Sequence, residues 1–148
     1  MSSVPYFLVF FFACVGYAFV RGGQPERVAG VALLAALVAS ASVGLIQIAG
    51  GFETVPLQLL VVDVLLALVL TILSLRANRM WLIFASSCQW LAVAVHAAKL
   101  IHPAIISTSY AFLTVIWSWP ITALVACGAI AHHRRQRAPI PDWRNSSR

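Results

Sequence analysis

Five long apolar runs limit how this chain can fold, and they occupy residues 4–20, 28–51, 57–75, 80–101 and 109–131. An α-helix needs about 20 predominantly apolar residues to cross the hydrocarbon core of a bilayer, and each run is close to that length. Strands of a membrane barrel alternate apolar and polar residues, and these runs do not. The sequence therefore predicts an all-α fold, a polytopic bundle of five transmembrane helices. Four spans are the alternative, because the first run is short and could lie at the membrane surface.

The scarcity of charge supports the same class. Only 9% of the 148 residues are charged, whereas soluble domains carry about 25%. The segments between the apolar runs are too short to hold a soluble domain. We therefore expect a single transmembrane bundle at 1–131, followed by a basic cytoplasmic tail at 132–148.

The arginines predict the orientation of the bundle. All nine fall on one side of a five-span topology, in the first loop, the third loop and the tail. The positive-inside rule then places the N-terminus outside and the C-terminus in the cytoplasm. The abundance of Arg and Ala favours a bacterial inner membrane. We expect the following basic residues to set the topology and to face lipid head groups: Arg76, Arg79, Arg134, Arg135 and Arg137.

One carboxylate lies inside an apolar run. Asp63 is the only charged residue of 57–75, and a charge in hydrocarbon is costly enough that it usually faces the bundle interior and has a partner or a function. Asp63 lies about 9 Å, and His96 about 7.5 Å, from the outer ends of consecutive spans. We therefore predict a polar intramembrane cluster of Asp63, His96, Lys99, Gln47 and Gln89.

This cluster has three interpretations. The preferred one is a structural lock, an ion pair that fixes the register of neighbouring helices. The second is a proton or substrate site, because an imidazole titrates near neutral pH. The third is a catalytic dyad.

Small residues recur at every fourth position of the second run. Ala36, Ser40 and Gly44 form a small-xxx-small pattern, which allows helix backbones to approach closely. We expect this helix-packing strip to make the second, third and fourth spans the tightest group. A kink is also expected at Pro120, inside the fifth span.

The sequence contains no G-x-S-x-G, P-loop or H-E-x-x-H motif and no dense set of metal ligands. The cysteines lie on three different runs, where packing is their expected role. We predict no catalytic residue, no metal site and no cofactor. The expected function is that of a non-enzymatic accessory or scaffold subunit of a larger membrane complex. Its expected partners are the lipid bilayer and other membrane subunits or copies of itself, with no nucleic acid. The alternatives are a small oligomeric proton-linked carrier that uses Asp63 and His96, and a phage-type lysis or pore protein.

Overall fold

Each apolar run contributes one helix to the fold. A computed structural model describes the backbone at 3–50, 55–101 and 116–137 and the side chains at 4–44, 57–101 and 116–137. The helices in these ranges are α1 (Ser3–Arg21), α2 (Gln24–Gly50), α3 (Val55–Ala77), α4 (Met80–Ile101) and α5 (Ser118–Arg137).

The prediction of a helical membrane bundle is confirmed. Four of the described helices, α1 to α4, are long and apolar enough to cross a membrane. The fifth predicted span begins outside the described residues, so α5 contains only its C-terminal part. α5 also continues through Arg137, so the first residues of the predicted tail are helical.

Two tight turns make α1–α2 and α3–α4 antiparallel pairs. The first turn contains Gly22, whose N–H donates to the carbonyl of Ala18 at 2.9 Å. A Cβ at Gly22 would clash with that same oxygen, so the close approach requires glycine. The second turn contains Asn78 with a φ of 47°, a left-handed conformation that Asn tolerates better than most residues.

The five helices form a ring in which neighbours in sequence are neighbours in space. Consecutive helices pack against each other, α1 closes the ring against α5, and α2 also contacts α5. α3 and α4 form the most extensive pair. Within the described residues α2 does not contact α4, because α5 packs against both of them. The predicted group of the second, third and fourth spans is therefore wrong as a three-helix contact.

A single apolar core lies inside the ring, and all five helices contribute to it. Its outer surface is also apolar, with large side chains such as Tyr6, Leu65 and Ile101 exposed. Such a surface suits lipid contact, because a soluble monomer rarely exposes apolar patches of this extent. Within the described residues the buried members of this core are Phe11, Val15, Ala18, Ala29, Leu33, Leu66, Leu70, Trp81, Leu82, Ala85, Ile121, Val125 and Ala129.

Aromatic packing closes the ring between α1 and α5. The ring centroid of Trp119 lies 5.3 Å from that of Phe7 and 5.3 Å from that of Phe10. Pro120 follows directly in the first turn of α5, where a missing backbone N–H costs little. α5 begins at Ser118, after a turn residue at Trp117 and a helical residue at Ile116. The helix on the other side of the predicted kink lies outside the described residues, so the kink stays a prediction.

The glycines allow a test of this packing. A Cβ at Gly128 would lie 2.5 Å from the buried Trp81 ring, whereas nothing described lies within 4 Å of a Cβ at Gly16. We expect Gly128→Ala to destabilise the bundle by about 1–3 kcal/mol through overpacking. The matched control Gly16→Ala should leave stability unchanged or raise it, because alanine favours a helix. Thermal unfolding in detergent measures both, and equal midpoints would contradict the Trp81–Gly128 contact.

Candidate functional site

The α3–α4 pair brings three of the predicted polar residues together. His96 Nε2 lies 2.7 Å from Asp63 Oδ2, and Gln89 Nε2 donates to Asp63 Oδ1 at 2.8 Å. The same Gln89 nitrogen lies 3.4 Å from the main-chain oxygen of Asp63. Both carboxylate oxygens of Asp63 are therefore engaged by side chains of α4.

The local sequence explains why these side chains meet. Gln89 and His96 are seven residues apart, which places them on one face two turns apart along α4. The short Asn78 turn makes α4 run back along α3, so that Asp63 reaches a depth between theirs. Gln89 and His96 are 3% and 4% exposed, and the Asp63 side chain retains 23% exposure. The carboxylate is thus the most accessible member of the group.

Asp63 and Gln89 lie on the wall of a central cavity of about 170 Å³. Such a volume has room for several water molecules. Its wall combines apolar and aromatic side chains with five polar residues. α2, α3 and α4 supply one polar residue each, and α5 supplies two. These polar residues are Ser40, Asp63, Gln89, Ser118 and Thr122.

A second polar contact joins α3 to α4 closer to the turn. Thr71 Oγ1 lies 3.1 Å from Ser86 Oγ and accepts a hydrogen bond from Trp90 Nε1 at 3.1 Å. Thr71 also donates to the carbonyl of Ala67 at 2.7 Å. The α3–α4 register is therefore held at two levels, and the Thr71 level contains no titratable group.

Two further residues, Lys99 and Gln47, belong to the predicted cluster. Lys99 is half-buried on α4, one turn beyond His96. The side chain of Gln47 lies outside the described residues. The structure thus brings Asp63, Gln89 and His96 into direct contact and leaves the roles of the other two as predictions.

The predicted packing strip on α2 has a different environment from the one expected. Ala36 and Ser40 line the central cavity. Within the described residues nothing lies within 4 Å of a Cβ at Gly44, so no close backbone approach requires glycine there. Ser40 is accordingly a cavity residue, and no helix in the described ranges closely approaches Gly44.

Sequence reasoning missed a buried carboxylate at the other end of the bundle. Glu26 is fully buried, and its Oε2 accepts a hydrogen bond from the Gly23 N–H at 3.0 Å. Within the described residues its Oε1 has no hydrogen-bond partner. The ring of His132 is close by, since a Cβ at Gly23 would lie 2.7 Å from His132 Cε1.

A helix-start signal in the sequence could have identified Glu26. Glu26 is the third residue of α2, and its side chain reaches back to the residue before the helix, as in a capping box. Pro25 in the first turn is a further sign of a helix start. The burial of Glu26 could not be predicted in the same way, because it depends on α5 packing over the turn.

The basic segments gather at this end of the bundle. Arg76 and Arg79 lie beside the first residues of α2 around one pocket, and the end of α5 packs near Gly23. Arg134, Arg135 and Arg137 are exposed on the last turn of α5. Desolvation, followed by the positive charges of Arg137, Arg21 and His132, lowers the pKa of His133. We call this the basic end.

No protein-family model, curated protein or solved structure matches this chain. The class of the protein therefore rests on its own structure. The chain is a helical membrane bundle with an Asp63–Gln89–His96 cluster, of which Asp63 and Gln89 line a cavity of mixed polar and apolar residues.

The energetic coupling of Asp63 and His96 can be measured. Removing one partner leaves a buried group without its charge-assisted hydrogen bond, at a cost of about 3 kcal/mol, whereas replacing both by apolar residues costs less than the sum. We expect Asp63→Ala and His96→Leu each to destabilise the bundle, and the double variant to be markedly less destabilised than the two costs added. Thermal or denaturant unfolding in one detergent gives all four stabilities. Strictly additive costs would mean that the contact contributes nothing.

Proposed function

We propose that the Asp63–His96 pair is a proton-binding centre and that the chain acts as a small proton-linked carrier. One observation carries this proposal: a carboxylate in direct contact with an imidazole, at 2.7 Å, lies on the wall of a cavity of about 170 Å³ that has room for several water molecules. An ionisable residue inside a membrane span is by default a candidate for a proton or substrate pathway.

The chemistry of the pair fits proton transfer. Histidine is the side chain best suited to gain and lose a proton near neutral pH. Asp63 lies on the cavity wall, so a proton carried by cavity water can reach the carboxylate and pass to His96 across the 2.7 Å contact. Asp63 stabilises the resulting imidazolium, and Gln89 fixes the orientation of the carboxylate through its other oxygen. Proton exchange between a carboxylate and an imidazole in hydrogen-bond contact needs no further group.

The size of the cavity limits what could bind beside the pair. About 170 Å³ is smaller than the usual small-molecule pocket of about 300–1,000 Å³. The proton itself, or a small ion with a few waters, is therefore the species that this geometry favours. The exposure of Asp63 also supports a proton site over a purely structural lock, since a lock gains nothing from access to a cavity.

An accessory role in a larger membrane assembly is compatible with this centre. A small bundle could bind protons as one subunit of a complex, and the sequence favours such a role. Mass spectrometry after gentle solubilisation would test this hypothesis. Finding no other polypeptide under conditions that preserve bound lipid would count against it.

The proposal predicts a specific loss in two variants. In proteoliposomes with a trapped pH-sensitive dye, Asp63→Asn and His96→Gln should each lower proton flux at least about tenfold, because an amide cannot take up the proton in this pH range. Infrared difference spectra between about pH 5 and pH 8 should lose a carboxyl band in Asp63→Asn and an imidazole band in His96→Gln. The matched control is Thr71→Val, which removes the other polar α3–α4 contact and leaves no titratable group changed.

The outcome separates the two readings of the pair. If Asp63→Asn keeps the flux of the unsubstituted protein while lowering stability, the pair is a structural lock. If Thr71→Val lowers the flux as much as Asp63→Asn does, the effect comes from a loosened α3–α4 contact. Either result would overturn the proposed function.

The orientation of the bundle is part of the proposal. We infer that the basic end faces the cytoplasm, which places the Asp63–His96 pair in the outer half of the membrane. The support is the gathering of Arg76, Arg79 and the end of α5 at one end, together with the positive-inside rule. An alkaline phosphatase fused after Arg148 should be inactive in a bacterial host, and an active fusion would reverse the orientation.

A further inference from the structure

We propose that the crevice between α2 and α3 is a binding site for one anionic phospholipid, with its phosphate at Arg76 and Arg79. This site is separate from the Asp63–His96 pair and does not depend on the proposed function. It consists of a basic pocket and an apolar groove that follow each other along the same two helices.

The basic pocket holds the head group. It has a volume of about 420 Å³ and lies between the start of α2 and the end of α3, with Arg76 and Arg79 on one side and Gln24 on the other. Arginine binds phosphate oxygens through its planar fork of N–H donors. Asn78, in its left-handed conformation, directly precedes Arg79 and so determines where the Arg79 backbone lies relative to the end of α3. Arg76 and Arg79 thus line one pocket at the end of a membrane span, where the phosphate of a lipid would lie.

The side of this pocket that faces away from the basic end is apolar. Val28 and Leu73 line the pocket together with the arginines. One turn further from the basic end, α2 presents Ala32 and α3 presents Val69, and both of these residues line the next cavity. The head-group pocket therefore leads into the groove without a change of helix pair.

The groove fits an acyl chain. It has a volume of about 220 Å³ and is lined entirely by Ala, Val and Leu side chains. The alanines of α2, including Ala35 and Ala39, leave the space, because a larger side chain at these positions would fill it. A groove with no polar group suits a hydrocarbon chain and offers nothing to a polar ligand.

The length of the site matches one leaflet. Val28 and Ala39 are eleven residues apart on α2, which corresponds to about 16 Å of helix. Half of a hydrocarbon core of about 30 Å is about 15 Å. Leu73 and Val62 give the same span on α3. A lipid with its phosphate at the arginines would therefore extend along α2 and α3 from the basic end, with its chain ending at Val62, the residue before Asp63.

Charge complementarity favours an anionic lipid over a zwitterionic one. The described basic end contains many cationic side chains, and its described carboxylate, Glu26, is fully buried and engaged by the Gly23 N–H. Basic pockets between transmembrane helices on the cytoplasmic side are a recurrent form of anionic-lipid recognition.

Native mass spectrometry of the full chain in detergent tests the site with defined probes. These probes are phosphatidylglycerol, phosphatidylcholine with the same acyl chains, and inorganic phosphate in large excess. We expect phosphatidylglycerol to occupy the protein at least about tenfold more than phosphatidylcholine, and excess phosphate not to displace it. Arg76→Gln with Arg79→Gln should abolish this preference. The matched control, Arg134→Gln with Arg135→Gln, removes the same charge from the exposed end of α5 and should preserve it.

The acyl-chain part of the site has its own variant pair. Ala35→Leu fills the groove and should lower phosphatidylglycerol occupancy at least about fivefold, whereas Ala41→Leu, on an exposed position of α2 outside the groove, should not. If the double arginine variant fails to fold, either single substitution should still lower the occupancy.

Four results would overturn the proposal. Equal occupancy by phosphatidylcholine would remove the role of the arginines, and displacement by inorganic phosphate would make this a site for the bare anion. An equal loss in the Arg134 and Arg135 variant would mean that only net charge matters. A second polypeptide that copurifies and is released by Ala35→Leu, with lipid occupancy unchanged, would make the groove a docking site for another helix.

Discussion

The cost of placing a carboxylate inside a membrane governs this structure. Asp63 can lie in α3 only if its oxygens are satisfied, and α4 supplies both partners, His96 at 2.7 Å and Gln89 at 2.8 Å. Because these partners are two turns apart on α4, the contact fixes both the register and the rotation of α4 against α3. A shift by one residue would turn His96 or Gln89 by about 100° away from the carboxylate. The most extensive helix pair of the bundle is thus also the one that carries its charged centre.

The ring then separates two kinds of chemistry along the membrane normal. The Asp63–His96 pair lies thirteen residues from Arg76 on α3, about 20 Å away, so the two charged regions interact weakly. Apolar core residues such as Leu66, Leu70 and Leu82 occupy the distance between them. A proton centre at Asp63 and a lipid head group at the opposite end of α3 are therefore weakly coupled by charge.

The sequence predicted the parts of this structure that follow from one helix at a time. The run lengths predicted the helices, and the depths of Asp63 and His96 in consecutive spans were sufficient to place them together, because a two-residue turn leaves few ways to pack α3 on α4. Properties that depend on which helices are neighbours could not be predicted. Gly44 has small-residue spacing, but among the described residues nothing lies within 4 Å of a Cβ there, and α5 rather than α4 contacts α2. Glu26 was missed because its burial requires the end of α5 to cover the α1–α2 turn.

Two residues separate the central cavity from the lipid-facing groove. Ala36 and Leu66 line both, so the wall between the water-sized cavity and the proposed acyl-chain site is a single layer of side chains. Leu66 is 7% exposed and belongs to the apolar core, and Ala36 is small, so Leu66 forms the larger part of this wall. A hydrocarbon chain in the groove would pack against the same two side chains that face the cavity. The proposed lipid site and the Asp63 carboxylate thus share a wall, even though no charge links them.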